Sequence, residues 1–404
     1  MSTAVVTGLG VAAPTGLGVE AYWPATLRGE DGIGRLTRFD PGPYPARLAG
    51  ECRDFVAEEH IPARLIPQTD PMTRLALAAA DWALDDAGLD PAQTAEYGAG
   101  VMTASSSGGF EFGQRELENL WSKGGQYVSA YQSFAWFYAV NTGQISIRHG
   151  LRGPSGVVVT DQAGGLDAVA QARRNIRGGT PVMVSGAVDS SLCPWSWAAH
   201  LAGGGLTTEQ DPKRAFLPFD ANASGYVPGE GGAILVVEEL AAARERGAPQ
   251  IYGVIAGYAA SFDPRPGTGR EPNLRYAIES ALRDADRGAA DIDVVFADGY
   301  GIPELDLVEA KAIRDVFGPY GVPVTAPKTM TGRLYAGGAA LDLAAAALTI
   351  RDGVIPPTTN VSAPAPGCPI DLVVGKPRPA RVDAALVLAR GRGGFNAAMV
   401  LTRA

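Results

Sequence analysis

The sequence predicts an α/β fold with buried sheets, assembled from two similar halves. Three observations carry this. Apolar, β-branched runs alternate with alanine-rich helical runs along the chain, the pattern of strands covered by helices. One stretch is echoed: Ala163-Gly164-Gly165 precedes Leu166-Asp167, an alanine-rich helix and Pro181, while Ala336-Gly337-Gly338 precedes Leu341-Asp342, another such helix and Pro356. Leu and Pro are fifteen residues apart in both copies, which reads as one unit repeated. Finally, 404 residues at 46% hydrophobic and 19% charged suffice for two core-forming units. The charged stretch Ala243–Pro249 marks the expected boundary, giving halves 1–245 and 250–404.

Ala4–Val6 opens the chain as a strand directly after Ser2-Thr3, with no basic n-region, so no secretory signal is expected. Ala76–Ala87 follows as a helix. A second helix should follow Ser105-Ser106-Ser107-Gly108-Gly109, where Phe110, Gly113, Gln114 and Leu117 fall on one face. Gly113 costs this helix roughly 1 kcal/mol of propensity, which makes an ordinary core face a poor explanation. Tyr127–Tyr138 is dense in aromatics, among them Tyr131, Phe134 and Phe137, and suits either a core or an interface. Ser191–Trp197 adds Trp195 and Trp197, also candidates for core packing.

Gly156–Thr160 reads as a strand that stops abruptly at Asp161-Gln162, before the helix Gly165–Ile176. Such a strand-to-helix turn exposes its central side chain and aims the helix N-terminus at it, which normally serves Cys or Ser. Gln162 cannot form an acyl-enzyme. The remaining strands are expected at Pro181–Ser185, Ala233–Glu238, Gln250–Ile255, Asp293–Phe296 and Ala384–Leu388. Helices are expected at Ala277–Arg287, Asp306–Phe317 and Gly338–Ile350.

Composition also excludes classes of function. A net charge of −9 argues against nucleic-acid or anionic-membrane surfaces, and the longest apolar stretches are too short to span a bilayer. Cys52, Cys193 and Cys368 are odd in number and scattered, which suits a reduced, cytoplasmic setting. His60, His149 and His200 share no motif with cysteines or acids, so they read as structural and no metal site is expected.

The segments Thr7-Gly8-Leu9-Gly10, Pro218-Phe219-Asp220, Gly229-Glu230-Gly231-Gly232, Pro327-Lys328 and Gly393-Gly394-Phe395-Asn396 resemble the signatures of the ketosynthase family. The resemblance spans the chain and implies the thiolase fold, layered αβαβα with two pseudo-duplicated halves. Active members carry one Cys and two His. By resemblance these positions hold Gln162, Asp298 in Asp298-Gly299-Tyr300-Gly301, and Arg333 after Lys328 and Gly332. Supporting residues Lys328, Glu309 and Asp306 remain.

With Asp161-Gln162-Ala163-Gly164-Gly165, this combination is similar to the chain length factor, or ketosynthase beta subunit, of bacterial type II polyketide synthases. The resemblance implies an obligate heterodimer with a Cys-bearing ketosynthase alpha subunit. The pair would build a poly-β-ketone from malonyl units on an acyl carrier protein. Phe110, Gly113, Gln114, Leu117 and Trp195 would line a deep tunnel at the subunit interface, and Tyr131, Phe134 and Phe137 would face the partner. No metal or dissociable cofactor is implied, since the phosphopantetheine arm belongs to the carrier.

A developing enolate needs donors, so Asp298 opposes condensation and should instead pair with Arg333. Gln162 is expected to plug the site, satisfied by backbone amides; the sharper reading is that its amide assists malonyl decarboxylation. A stand-alone decarboxylase and a purely structural partner of the ketosynthase are the competing functions.

Overall fold

The computed structural model describes residues 2–265 and 267–404. In chain order the first half supplies β1 (Ala4–Ala13), α1 (Pro71–Asp86), β2 (Ala99–Ala104), α2 (Phe110–Lys123), α3 (Val140–His149), β3 (Ser155–Val158), α4 (Gly164–Arg177), β4 (Val182–Asp189), α5 (Pro194–Gly203) and β5 (Gly231–Glu239). The second half supplies β6 (Gly253–Phe262), α6 (Leu274–Asp284), β7 (Val294–Phe296), α7 (Pro303–Phe317), β8 (Pro323–Thr325), α8 (Ala336–Asp352), β9 (Asp371–Leu372), β10 (Ala384–Gly391) and β11 (Phe395–Thr402).

Strand order repeats between the halves. The first runs β3-β2-β4-β5-β1, the second β8-β7-β10-β11-β6, with β9 added at the outer edge. Directions repeat too. The outer strand pairs are parallel and the inner ones antiparallel in both. The halves join through β1 and β6 at Val5↔Val254 and Val6↔Gly253.

Period-two alternation sorts side chains into layers. On β5, Ala233, Leu235 and Val237 face the central helices, whereas Ile234 and Val236 face α1. On β10, Ala385, Val387 and Ala389 point inward, and Leu386 and Leu388 point to α6 and α7. Helices α4 and α8, the echoed pair, form the central layer. Every residue of α8 from Ala336 to Ile350 is buried, so this helix is covered on all sides. The layers run helix, sheet, helix, sheet, helix.

Close approach dictates the glycines between layers. A Cβ on Gly8 would lie 2.1 Å from Ala83 O, and one on Gly257 would lie 2.2 Å from Ala281 O. Each follows a register shift, between Val6 and Gly8 in β1 and opposite Val400/Leu401 in β6. The duplication therefore extends to the bulges.

Several expectations need correction. The strand expected at Gln250–Ile255 begins at Gly253 and runs on to Phe262. The helix expected to end at Arg287 stops at Asp284, before the positive-φ residue Asp286. The first helix starts at Pro71, capped by Asp70. Strands β2, β8 and β11 were not foreseen.

Candidate functional site

At the end of β3 the backbone turns sharply. Asp161 takes φ 51°, in the left-handed region, and one 3-10 turn over Asp161–Ala163 feeds α4. The turn is pinned from both sides. Arg392 N–H donates to Asp161 Oδ2 at 2.7 Å, and Thr160 Oγ1 donates to Asp167 Oδ2 at 2.5 Å.

Gln162, at the apex, is 1% exposed. Its amide lies against the first turn of α8, where a Cβ on Gly338 would sit 2.6 Å from Nε2. Among the described residues neither Nε2 nor Oε1 has a hydrogen-bond partner. The expectation that backbone amides satisfy this side chain is thus overturned. In that turn Ala336 N–H is already taken by Ser106 and Asp189, and Gly338 N–H by Tyr335 O.

The loop after β7 brings Asp298 against Arg333. Arg333 Nη1 donates to Asp298 Oδ2 at 2.9 Å and Nη2 to Oδ1 at 3.3 Å. Both side chains are buried. The guanidinium also donates to Arg390 O at 3.1 Å and lies 3.9 Å from the Tyr300 ring and 5.7 Å from that of Tyr226. Asp298 holds the Arg333 guanidinium firmly charged, against the pull of burial.

Two carboxylates of α7 hold the loop. Glu309 accepts from Asp298 N–H at 2.7 Å and Gly299 N–H at 3.0 Å; Asp306 accepts from Tyr300 N–H, Gly301 N–H and Phe219 N–H. Burial raises Glu309 to about 7 and Asp306 to about 6. Lys328 Nζ sits 2.6 Å from Asp342 and donates to Ala297 O at 2.7 Å.

The end of β10 joins elbow and loops, since Arg390 O receives Arg333 while Arg392 N–H reaches Asp161. The three positions Gln162, Asp298 and Arg333 therefore converge. The chemistry available there is limited. Arg333 is engaged, and burial drives His200, stacked on Tyr335 at 4.8 Å, down to about 4 and hence neutral. All three cysteines are buried with thiols pushed up, Cys368 to about 11. Among the described residues no group of His, Cys, Asp and Glu is arranged to hold a metal.

The face predicted on α2 borders a groove of about 390 Å³ lined by Gln114, Leu117, Glu118, Trp121, Pro194 and Trp195. Gln114 Oε1 accepts from Trp195 N–H at 2.8 Å, and Phe110 packs on Trp195 with ring centroids 4.6 Å apart. Gly113 lies on the same face of α2. A Cβ there would meet Trp195 at 3.5 Å and Trp136 at 3.6 Å, so the missing side chain makes room for two tryptophans. Beside the groove, Trp121, Tyr131, Phe134, Trp136, Phe137 and Tyr138 are exposed on one chain surface.

Residues 1–243 match the Beta-ketoacyl synthase N-terminal domain and residues 252–362 the Beta-ketoacyl synthase C-terminal domain. The chain belongs to the beta-ketoacyl synthase family. The tetracenomycin polyketide synthase ketoacyl synthase beta subunit of Streptomyces glaucescens is 60% identical over 400 residues, covering 99% of this chain and 98% of that relative. The solved ishigamide ketosynthase/chain length factor is 30% identical with a TM-score of 0.89, over 100% of this chain and 99% of that one. A type II polyketide synthase acyl-carrier protein in complex with its ketosynthase bound to the hexaketide gives 27% identity and a TM-score of 0.88, with the same coverage.

Within this ketosynthase fold, sequence reasoning missed the aromatic shell of the converged loops. Tyr226, Tyr300, Tyr335 and His200 surround Arg333 and Asp161. Tyr300 and Tyr335 carried a local signal, lying two residues beyond Asp298 and Arg333 respectively. His200, read as structural, comes from α5 and meets Tyr335 only through the fold.

Proposed function

We propose that this chain is the non-condensing beta subunit of a type II polyketide synthase, a chain length factor. It would pair with a Cys-bearing ketosynthase and shape the channel in which a poly-β-ketone grows from malonyl units on an acyl carrier protein. The product would enter aromatic, antibiotic-type polyketide biosynthesis in the cytoplasm. One observation carries the reading: an elbow of the acyl-enzyme type holds an amide, and the two loops beside it are closed by the Asp298–Arg333 pair. Without thiolate or free imidazole there is nothing to accept the growing chain. No dissociable cofactor is needed, because the substrate arrives on the carrier's phosphopantetheine arm.

Two surfaces support a partner. The exposed aromatics around Phe137 form an apolar patch of the kind monomers avoid. Strand β3 is paired on one side by β2, and its outer edge ends at exposed Val159. The groove at Gln114, Leu117 and Trp195 opens beside this patch, so a partner subunit would roof it.

The test is co-expression with the partner ketosynthase and mass analysis of products. Gly113→Thr with Leu117→Phe should shorten the chain by one or two extension units while turnover stays measurable. Wild-type length at wild-type yield would sink the groove assignment. A covalent acyl adduct on this chain would sink the non-condensing assignment.

A second reading is favoured by the unpaired Gln162 amide: that it meets the malonyl group and assists decarboxylation. Gln162→Ala in the complex would then slow carbon dioxide release from malonyl carrier protein. An unchanged release rate would leave only the structural role.

A further inference from the structure

Helix α2, which carries the groove, begins without a cap of its own. Its N-cap is Gly109, which has no side chain to offer the third amide of the helix. That amide, Phe112 N–H, is instead satisfied from another helix. Asp70 Oδ2 accepts it at 2.9 Å, while Asp70 Oδ1 accepts Met72 N–H at 2.9 Å as the N-cap of α1. One carboxylate, 1% exposed, thus caps two helices that start thirty-nine residues apart in sequence. Both helix dipoles favour a negative charge at this point.

The surroundings fix the start of α2 closely. Gly109 is wedged so tightly that a Cβ would lie 2.2 Å from Ala135 O and 2.9 Å from Asp70 Cβ. Gly109 N–H donates to Trp136 O at 3.1 Å, and Gly108 N–H to Ser105 Oγ at 3.0 Å. Ser105 Oγ in turn donates to Oδ1 of buried Asp189 at 2.9 Å. Asp189 Oδ2 also accepts Ala336 N–H at the start of α8. The start of α2 is therefore tied at one end to α1 and at the other to the converged loops.

We infer that Asp70 is a positioning residue for product length: by capping α2 across the fold, it sets where Phe110, Gly113, Gln114 and Leu117 stand against Trp195. The inference rests on the reading that this groove bounds the growing chain. Asp70 touches no substrate and acts only through α2. Its carboxyl is raised to about 7 by burial, against the pull of its two backbone donors.

The experiment uses the chain co-purified with its ketosynthase. In Asp70→Ser, a hydroxyl can still cap Met72 N–H locally but is too short to reach Phe112 N–H as well. In Asp70→Asn, the shape is kept, yet only one amide oxygen remains for two donors. Complex yield and melting temperature establish that each variant folds, and products are then sorted by chain length.

The expected result is that off-length product rises roughly fivefold, the effect of losing one helix cap. It should rise in both variants, with the one-to-one complex retained. Gly113→Thr with Leu117→Phe serves as the reference arm. If that arm shifts length and both Asp70 variants keep the wild-type distribution, Asp70 is a structural cap only and the inference fails. If the reference arm also leaves length unchanged, the groove reading itself fails. Should Asp70→Ser not fold, Asp70→Asn decides; loss of both complexes would show that Asp70 serves stability rather than length and would equally overturn the inference.

Discussion

Truncating Asp298 should damage this protein more than removing the whole ion pair. In Asp298→Ala, Arg333 keeps its charge, because a guanidinium is not deprotonated in proteins. It would be left 3% exposed, with carbonyls and the Tyr300 ring as its remaining company. Breaking a buried pair in this way costs about 3–5 kcal/mol. For a unit the size of either half, each kcal/mol moves the melting temperature by about 2–4 °C, so the drop should be roughly 6–20 °C.

Arg333→Met should cost less, since it removes the group that has no neutral form and leaves Asp298 with the charged Arg390 and Lys328 side chains still around the same site. The double variant Asp298→Leu/Arg333→Met should recover most of the loss, because apolar replacements of a buried pair are often neutral or stabilising. The assay is thermal unfolding of the complex purified with the partner ketosynthase. Product titre should survive in the double variant, since the pair takes no part in condensation. The reasoning is refuted if Asp298→Ala melts within about 2 °C of wild type, or if the double variant is no better than the worse single one.

Three further outcomes follow from the same structure. Gly165→Val should abolish soluble complex, because even a Cβ there meets Ala336 O at 2.4 Å and Ala340 N at 2.7 Å, whereas Gly113→Ala has ordinary contacts and should raise the melting temperature slightly through about 1 kcal/mol of helix propensity. Tyr131→Glu with Phe137→Glu should abolish co-elution with the ketosynthase in size-exclusion chromatography while leaving the far-ultraviolet spectrum unchanged, since both side chains are exposed in the single chain. The complex should melt higher at pH 6 than at pH 8. Burial raises Asp70 and Glu309 to about 7 and Asp189, Asp306 and Asp342 to about 6, so the folded state holds protons that the unfolded state releases. That stability is fully present below the unfolded carboxyl range and is lost as pH rises through 6 to 7. His200, held neutral, opposes the trend below its unfolded value but is one group against five. A melting temperature that rises from pH 6 to pH 8 would contradict this balance.

The sequence by itself determined the features that repeat at short range. Period two and period 3.6 located the central helices α4 and α8, the strands β4, β5 and β10, and the α2 face, because those patterns reflect which side of each element meets apolar neighbours. The echo Ala163-Gly164-Gly165 and Ala336-Gly337-Gly338 exposed the duplication, since both glycine pairs pack closely at the start of a central helix. Opposite charges at two positions that the family resemblance brings to one site anticipated the Asp298–Arg333 contact.

Strands β2 and β11 escaped notice because their alanines and glycines carry no alternation. Pressed between helix layers on both faces, they have no polar side to mark. Only the tertiary structure decided that Gln162 would find no hydrogen-bond partner among the described residues, that Trp195 and Trp136 would pack against Gly113, and that Asp70 would cap a helix starting thirty-nine residues further along. Each depends on groups far apart in the chain, whose meeting is fixed by packing across layers and leaves no trace in the local order of residues.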